Sequence, residues 1–317
     1  MFPHWLRFAT GLVLLVTAVL GHGCAIAPAP SLSGHGPVQG DAGASSGLTY
    51  LIMGGEPDVE DRYSSVVQVI MPGRGTCSGV LISPRLVLTA AHCFCFPAPE
   101  SLEPERVYTF KKVNAQNEVV LGCADKAKVS AVLYRMVSDD DSLPPASPKN
   151  ITYRGGVRVH VSEGYRFYTN SAKEVVRSEM DLAAVHLDSP MTGVRLDSQL
   201  ATSEVQPNRF LVAVGYGFTE NYVAGIRHFG ISRVADLGSN NTAGVFAFGK
   251  PEAPLRAVLS LTGDSGGPCF FEEGGRRWLI GIISHRRVVD GDMVTNFTST
   301  FYYRDWINEQ LKKSGVR

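Results

Sequence analysis

Short apolar runs, each broken by glycine, proline or small polar residues, recur along the chain from residue 66 onward. Val66–Met71 (VVQVIM), residues 79–82 (GVLI) and Leu86–Thr89 (LVLT) are brief and rich in branched side chains, which predicts strands. Residues 181–187 (DLAAVHL) and 211–217 (LVAVGYG) read the same way, and VRVHV around His160 alternates with a period of two. The spacing changes only near the C-terminus. Within residues 302–312 (YYRDWINEQLK), Trp306, Ile307, Gln310 and Leu311 fall at helical intervals and predict one closing helix. Thirty-three glycines and eighteen prolines supply the turns that an all-β chain of many short strands requires.

The first fifty residues follow a different pattern. Arg7 precedes an uncharged apolar stretch, residues 8–21 (FATGLVLLVTAVLG), too short for a membrane span, so residues 1–23 read as a secretory signal peptide. Residues 24–51, rich in Ala, Pro, Ser and Gly and without periodicity, read as a propeptide or flexible linker. Two readings of Cys24 stand: a lipidated cysteine tethering the protein to a membrane, or an incidental cysteine behind an ordinary signal peptide. A secreted or extracytoplasmic location is expected either way. The remaining stretch, 52–317, is expected to form the folded domain.

Composition narrows the function. Thirty basic and thirty acidic side chains cancel, and no basic run is present, so a nucleic-acid partner has no electrostatic support. With 44% hydrophobic residues the chain can bury a sizeable core. The chemistry concentrates in residues 263–268 (GDSGGP), where Ser265 stands among glycines after an apolar run. Glycines permit a sharp turn that projects one hydroxyl, with the amides of Gly263 and Ser265 converging as an oxyanion hole. A serine nucleophile needs a histidine base and an orienting carboxylate. His92 in LVLTAAHC and Asp181 in EMDLAAVHL supply both residue types, each in a strand-like context.

The order His92, Asp181, Ser265, within the motifs TAAHC and GDSGGP, resembles the trypsin/chymotrypsin family of serine peptidases over residues 52–317. That resemblance implies two six-stranded antiparallel Greek-key β-barrels with the active site between them, plus a C-terminal α-helix. It implies a Cys77–Cys93 disulfide beneath the histidine; Cys123 is a candidate partner for Cys95, which has no family equivalent, and Cys269 is then a free buried thiol. Disulfides agree with an oxidising compartment. Residues 52–55 (IMGG) resemble the activation site of the family, where cleavage frees an amine at Ile52 that would pair with Asp264. Leu51 replaces the usual basic residue before that bond, which points to self-processing or a non-tryptic activating protease.

The same resemblance places the substrate pocket at Leu259, Ser260, Ser284, His285, Arg286 and Thr295. Leu259, where an aspartate would select basic side chains, argues against tryptic specificity; a small or apolar residue before the scissile bond is favoured, an acidic one second. The interval between His92 and Asp181 is longer than in compact members and includes an acidic tip at 139–141 and a proline-rich run at 143–148, read as a solvated insertion rather than an exosite. Cys93 and Cys95 lack matching downstream ligands, so no metal and no cofactor are expected. The expected partners are protein or peptide substrates and an activating protease, with the chain acting as a monomer. The rivals are a catalytically inactive homologue that binds a partner, and an esterase using the same three residues.

Overall fold

The computed structural model describes residues 55–97, 99–111, 117–134, 149–218, 225–236, 243–248, 259–289 and 291–315. Ile52, Cys24, the leader, the tether and the 139–148 tip lie outside the described residues. All described residues belong to one compact unit.

In the N-terminal half, Val66–Met71 pairs antiparallel with Gly75–Ser83 on one side and with Lys128–Leu133 on the other. Gly75–Ser83 continues to Leu86–Thr89, which pairs with Ala183–Leu187, which pairs in turn with Val157–Val161. A second sheet, Val175–Glu179, Arg166–Thr169, Val107–Thr109 and Glu118–Val120, contributes Tyr108 and Phe167 to the same core, their rings stacked at 4.5 Å. In the C-terminal half, Phe210–Gly215, His228–Asp236, Val245–Phe248, Asp292–Ser299, Arg276–Val289 and Pro268–Glu273 close into a six-stranded ring. The expected all-β architecture with a C-terminal helix is therefore present. Two short parallel pairings decorate it: Val107–Thr109 with Glu118–Val120, and Ser198–Leu200 on the outer side of Arg276–Val289.

Period-two alternation explains how the two halves join. Along Phe210–Gly215, Leu211 and Ala213 point into the ring with Phe246, Phe248 and Phe297, while Val212 and Val214 join the core of the first half. The C-terminal helix, Arg304–Lys313, reaches back to that first half. Its Ile307 is fully buried there, and Gln310 Oε1 accepts from His160 Nδ1 at 2.7 Å and His186 Nε2 at 3.3 Å. His160 and His186 are thus docking residues for the helix. Among the described residues no helix is long and apolar enough to cross a membrane.

One feature of the fold has no sequence signature. Arg227 is fully buried and donates to Asp58 Oδ2 (2.7 Å), Asp61 Oδ1 (2.9 Å), the Tyr216 hydroxyl (2.9 Å) and the Val132 carbonyl (3.1 Å). Asp58 also accepts from the amides of Arg62 and Tyr63, and Asp61 from that of Tyr134. A buried charge is tolerated only when paired and hydrogen-bonded in this way. The cluster fastens the segment just after the IMGG motif to both halves of the molecule.

Candidate active site

His92 follows the strand Leu86–Thr89, buried along its whole length, and begins the short helix His92–Cys95. Disulfides join Cys77 to Cys93 and Cys95 to Cys123, so both ends of that helix are pinned; Cys269 is free and buried. Asp181 lies two residues before Ala183–Leu187. In the antiparallel register Ala183 faces Thr89 and Ala184 faces Leu88. Continuing that register two residues carries Asp181 to the position beside Ala91 and His92. A tight turn completes the placement, with Met180 at φ 47° and the Leu182 amide donating to the Met180 carbonyl at 2.7 Å.

Two hydrogen bonds join histidine and aspartate. The His92 amide donates to Asp181 Oδ1 at 2.9 Å, and Nδ1 pairs with Oδ2 at 2.8 Å. A third donor, the Ser284 hydroxyl, reaches Oδ2 at 2.5 Å. Asp181 is 1% exposed. Burial alone would raise its pKa, but the charge of His92 and the donors from His92 and Ser284 outweigh it and hold the carboxyl below its ordinary value. Nδ1 is thus engaged, and Nε2 is the nitrogen left to exchange a proton.

Ser265 sits on the turn between residues 261 and 267, held against the histidine strand by several contacts. The Ser78 amide donates to the Ser265 carbonyl at 2.8 Å, and that carbonyl lies 3.8 Å from Cys93 Sγ. Ser78 Oγ donates to the Gly263 carbonyl and accepts from the Tyr216 amide, both at 2.8 Å. Two glycines are obligatory. Gly266 adopts φ 81°, and a Cβ there would lie 2.0 Å from Thr89 Oγ1 and 2.4 Å from the Ser78 carbonyl. Gly263, at φ 100°, would drive a Cβ within 2.8 Å of Gly217 Cα. Gly266 therefore lets the serine turn lie flat on the strands that lead to His92, and Gly263 lets it lie against the segment at Gly217. Among the described residues the amides of Gly263 and Ser265 donate to no acceptor, and Ser265 Oγ has no hydrogen-bond partner, His92 included.

Asp264 faces inward. It is 2% exposed, and its oxygens accept from the amides of Gly217 and Leu261, each at 2.8 Å. Burial pushes its pKa up to about 6 against those two amides and the distant Arg286 charge. Its expected partner, Ile52, lies outside the described residues.

The expected pocket residues divide into three. Ser260 and Thr295 are buried and bonded together, Thr295 Oγ1 accepting from the Ser260 amide at 3.0 Å with the hydroxyls 3.2 Å apart. Arg286 pairs with Thr295 across the adjoining strands, and its side chain is exposed; Leu259 is half-buried. Ser284 and His285 belong instead to the surroundings of Asp181. His285 Nδ1 lies 3.0 Å from Ser178 Oγ and 3.2 Å from Ser284 Oγ, and those two hydroxyls are 3.2 Å apart. Ser178 and Ser78 escaped sequence reasoning, because isolated serines in strands carry no local signal. Cys77, Cys93 and His92 place ligand-type atoms within 4.8 Å of one another, but both sulfurs are joined in the disulfide and offer no thiolate.

Comparison with known proteins agrees with this architecture. The family model Trypsin matches residues 52–122, which include Ile52, the Cys77–Cys93 pair and His92. Among solved structures, human heparin binding protein is similar with a TM-score of 0.53 at 18% identity, over 82% of this chain and 96% of that one. At that identity the likeness establishes the fold alone. No curated protein matches the chain. The molecule has the trypsin/chymotrypsin-type fold that its motifs implied.

Proposed function

We propose that this chain is a secreted serine endopeptidase, made inactive and switched on by cleavage before Ile52. The observation that carries the reading is the doubly bonded His92 and Asp181 beside a glycine turn bearing a free serine hydroxyl. His92 Nε2 takes the Ser265 proton as Oγ attacks the peptide carbonyl. The amides of Gly263 and Ser265 receive the negative charge on the carbonyl oxygen. The C–N bond then breaks, the leaving amine takes the proton from His92, and an acyl-enzyme remains. Water releases the acid by the same steps in reverse. Residues 1–23 act as the signal peptide, and the two disulfides suit an oxidising destination.

The unpaired Ser265 hydroxyl suits a chain that still carries residues before Ile52. Asp264 supports the switch: among the described residues no cation lies within ion-pair distance of this buried carboxylate. A free Ile52 amine would provide one. The pH dependence follows from the raised pKa. A folded-state value of about 6 against an ordinary 3.8 stabilises the uncleaved protein fully below pH 4, and that contribution is lost as pH rises through 6. The swing is on the order of 3 kcal/mol. Unfolding curves of the full chain should steepen in pH dependence between 4 and 6 relative to a form beginning at Ile52. Identical profiles would remove the switch.

The preference we infer is for a small side chain before the scissile bond, because Ser260 and Thr295, at two of the expected pocket positions, are buried and bonded to each other. Peptides with alanine or glycine before the scissile bond should exceed those with arginine or phenylalanine by at least about tenfold in kcat/KM, the scale of a few methylenes of misfit. A peptide library with either large residue preferred would overturn this.

A second reading, a binding homologue without turnover, is favoured by the missing hydrogen bond between His92 and Ser265. The name of the human relative, heparin binding protein, shows that a binder can carry this fold. A fluorophosphonate probe separates the two. Ser265 labelled in the form starting at Ile52 supports the peptidase; a folded protein that never labels supports the binder.

A further inference from the structure

A second histidine is joined to Asp181 by hydroxyl groups. Ser284 has one proton, and at 2.5 Å it is given to Asp181 Oδ2. The Ser284 oxygen can then only accept, and its neighbours are Ser178 Oγ at 3.2 Å and His285 Nδ1 at 3.2 Å. Ser178 also has one proton, and two directions remain. If Ser178 donates to His285 Nδ1, the ring proton sits on Nε2, which is buried and without a partner among the described residues. That leaves a buried N–H with no acceptor, the costlier kind of orphan. If His285 Nδ1–H donates to Ser178, and Ser178 donates to Ser284, every proton in the cluster has an acceptor. Only a lone pair on Nε2 is left over. The dipoles then align toward the carboxylate and reinforce one another.

We propose that His285 is a positioning residue for the reaction above, heading a one-way chain of donors through Ser178 and Ser284 that holds Asp181 ionised and turned toward His92. The kinetic part rests on the peptidase reading; the hydrogen-bond chain does not. The charged and titratable groups around His285 are Asp181, His92 and Arg287. Burial, against the pull of Asp181 and with the repulsion of His92 and Arg287, brings the ring down to about 4, so it stays neutral with a single N–H at working pH. The sequence placed His285 in the pocket wall; this role joins it instead to the acid.

The test uses the protein beginning at Ile52, with Ser178→Ala, His285→Leu, His285→Asn and His285→Gln. Asparagine keeps a donor where Nδ1–H stands; glutamine places its amide nearer Nε2. Two readouts are taken: the pH dependence of kcat and KM, and the far-downfield proton resonance of His92 Nδ1–H, which needs no turnover. Ser178→Ala and His285→Leu are expected to lower kcat about tenfold with KM unchanged, the loss of neutral hydrogen bonds that polarise the Ser284 donor toward Asp181. Negative charge then concentrates on Oδ2, so the acid limb should move up by about half a pH unit and the resonance should shift. His285→Asn should stay within about twofold of the parent, and His285→Gln should resemble leucine.

An asparagine variant as impaired as leucine would reduce His285 to packing and overturn the proposal. So would an unmoved resonance in Ser178→Ala, a small change that keeps the fold testable even if leucine does not fold. A parent that neither labels nor turns over, yet shows the expected resonance shifts, would reject the peptidase while keeping the donor chain.

Discussion

Ser265→Ala is expected to lower peptide turnover by about 10⁴-fold or more while leaving the fold intact. The hydroxyl is the nucleophile of the proposed reaction, and no other oxygen on that turn can replace it. It also contributes little to stability, because it is half-exposed and bonded to nothing among the described residues. Its removal should shift unfolding free energy by no more than about 0.5 kcal/mol. Asp181→Asn gives the contrast. It should cost activity on the order of 10⁴-fold through the wrong imidazole tautomer, and stability as well, since the carboxylate collects three donors. Steady-state kinetics on protein purified away from host proteases, beside urea unfolding, checks both. Turnover by Ser265→Ala within a hundredfold of the parent would sink the assignment.

Arg227→Met should destabilise the fold by about 3–5 kcal/mol, because it removes the guanidinium paired with the buried carboxylates of Asp58 and Asp61. The penalty comes from stranding charge more than from losing attraction. Adding Asp58→Asn and Asp61→Asn to that variant should therefore recover at least half of the loss. Each asparagine keeps one oxygen that can accept a backbone amide, from Arg62 or Tyr63 at position 58 and from Tyr134 at position 61, and asparagine tolerates the φ of 53° at position 61. Urea denaturation of the single and triple variants measures this directly. A single variant costing under about 1 kcal/mol would mean that water or a neighbouring cation reaches the site.

Much of the site was readable before the fold. His92 and Asp181 stand at the ends of two apolar runs, and pairing of those runs is enough to bring them together. Gly263 and Gly266 were readable as turn residues, because their geometry excludes a side chain. What escaped was polar and nonlocal. Asp58, Asp61 and Arg227 look like ordinary surface charges in the sequence, and only the closing of both halves buries them. The donor chain from His285 needs strands carrying Ser178 and Ser284 to converge on Asp181, and hydroxyl orientation has no signature in a one-dimensional pattern. Ile52 and Cys24 lie outside the described residues, so the activation pair and the lipid anchor remain proposals from the sequence.

The closing helix bears on the order in which the protein can be made. Ile307 completes the core of the first half, and Gln310 bridges His160 and His186 on two of its strands. Those strands leave the ribosome well before residues 304–313 do. Until residues 304–313 emerge, those strands lack the packing of Ile307 and the hydrogen bonds of Gln310. Docking of the helix is therefore a late step in completing the half that carries His92 and Asp181.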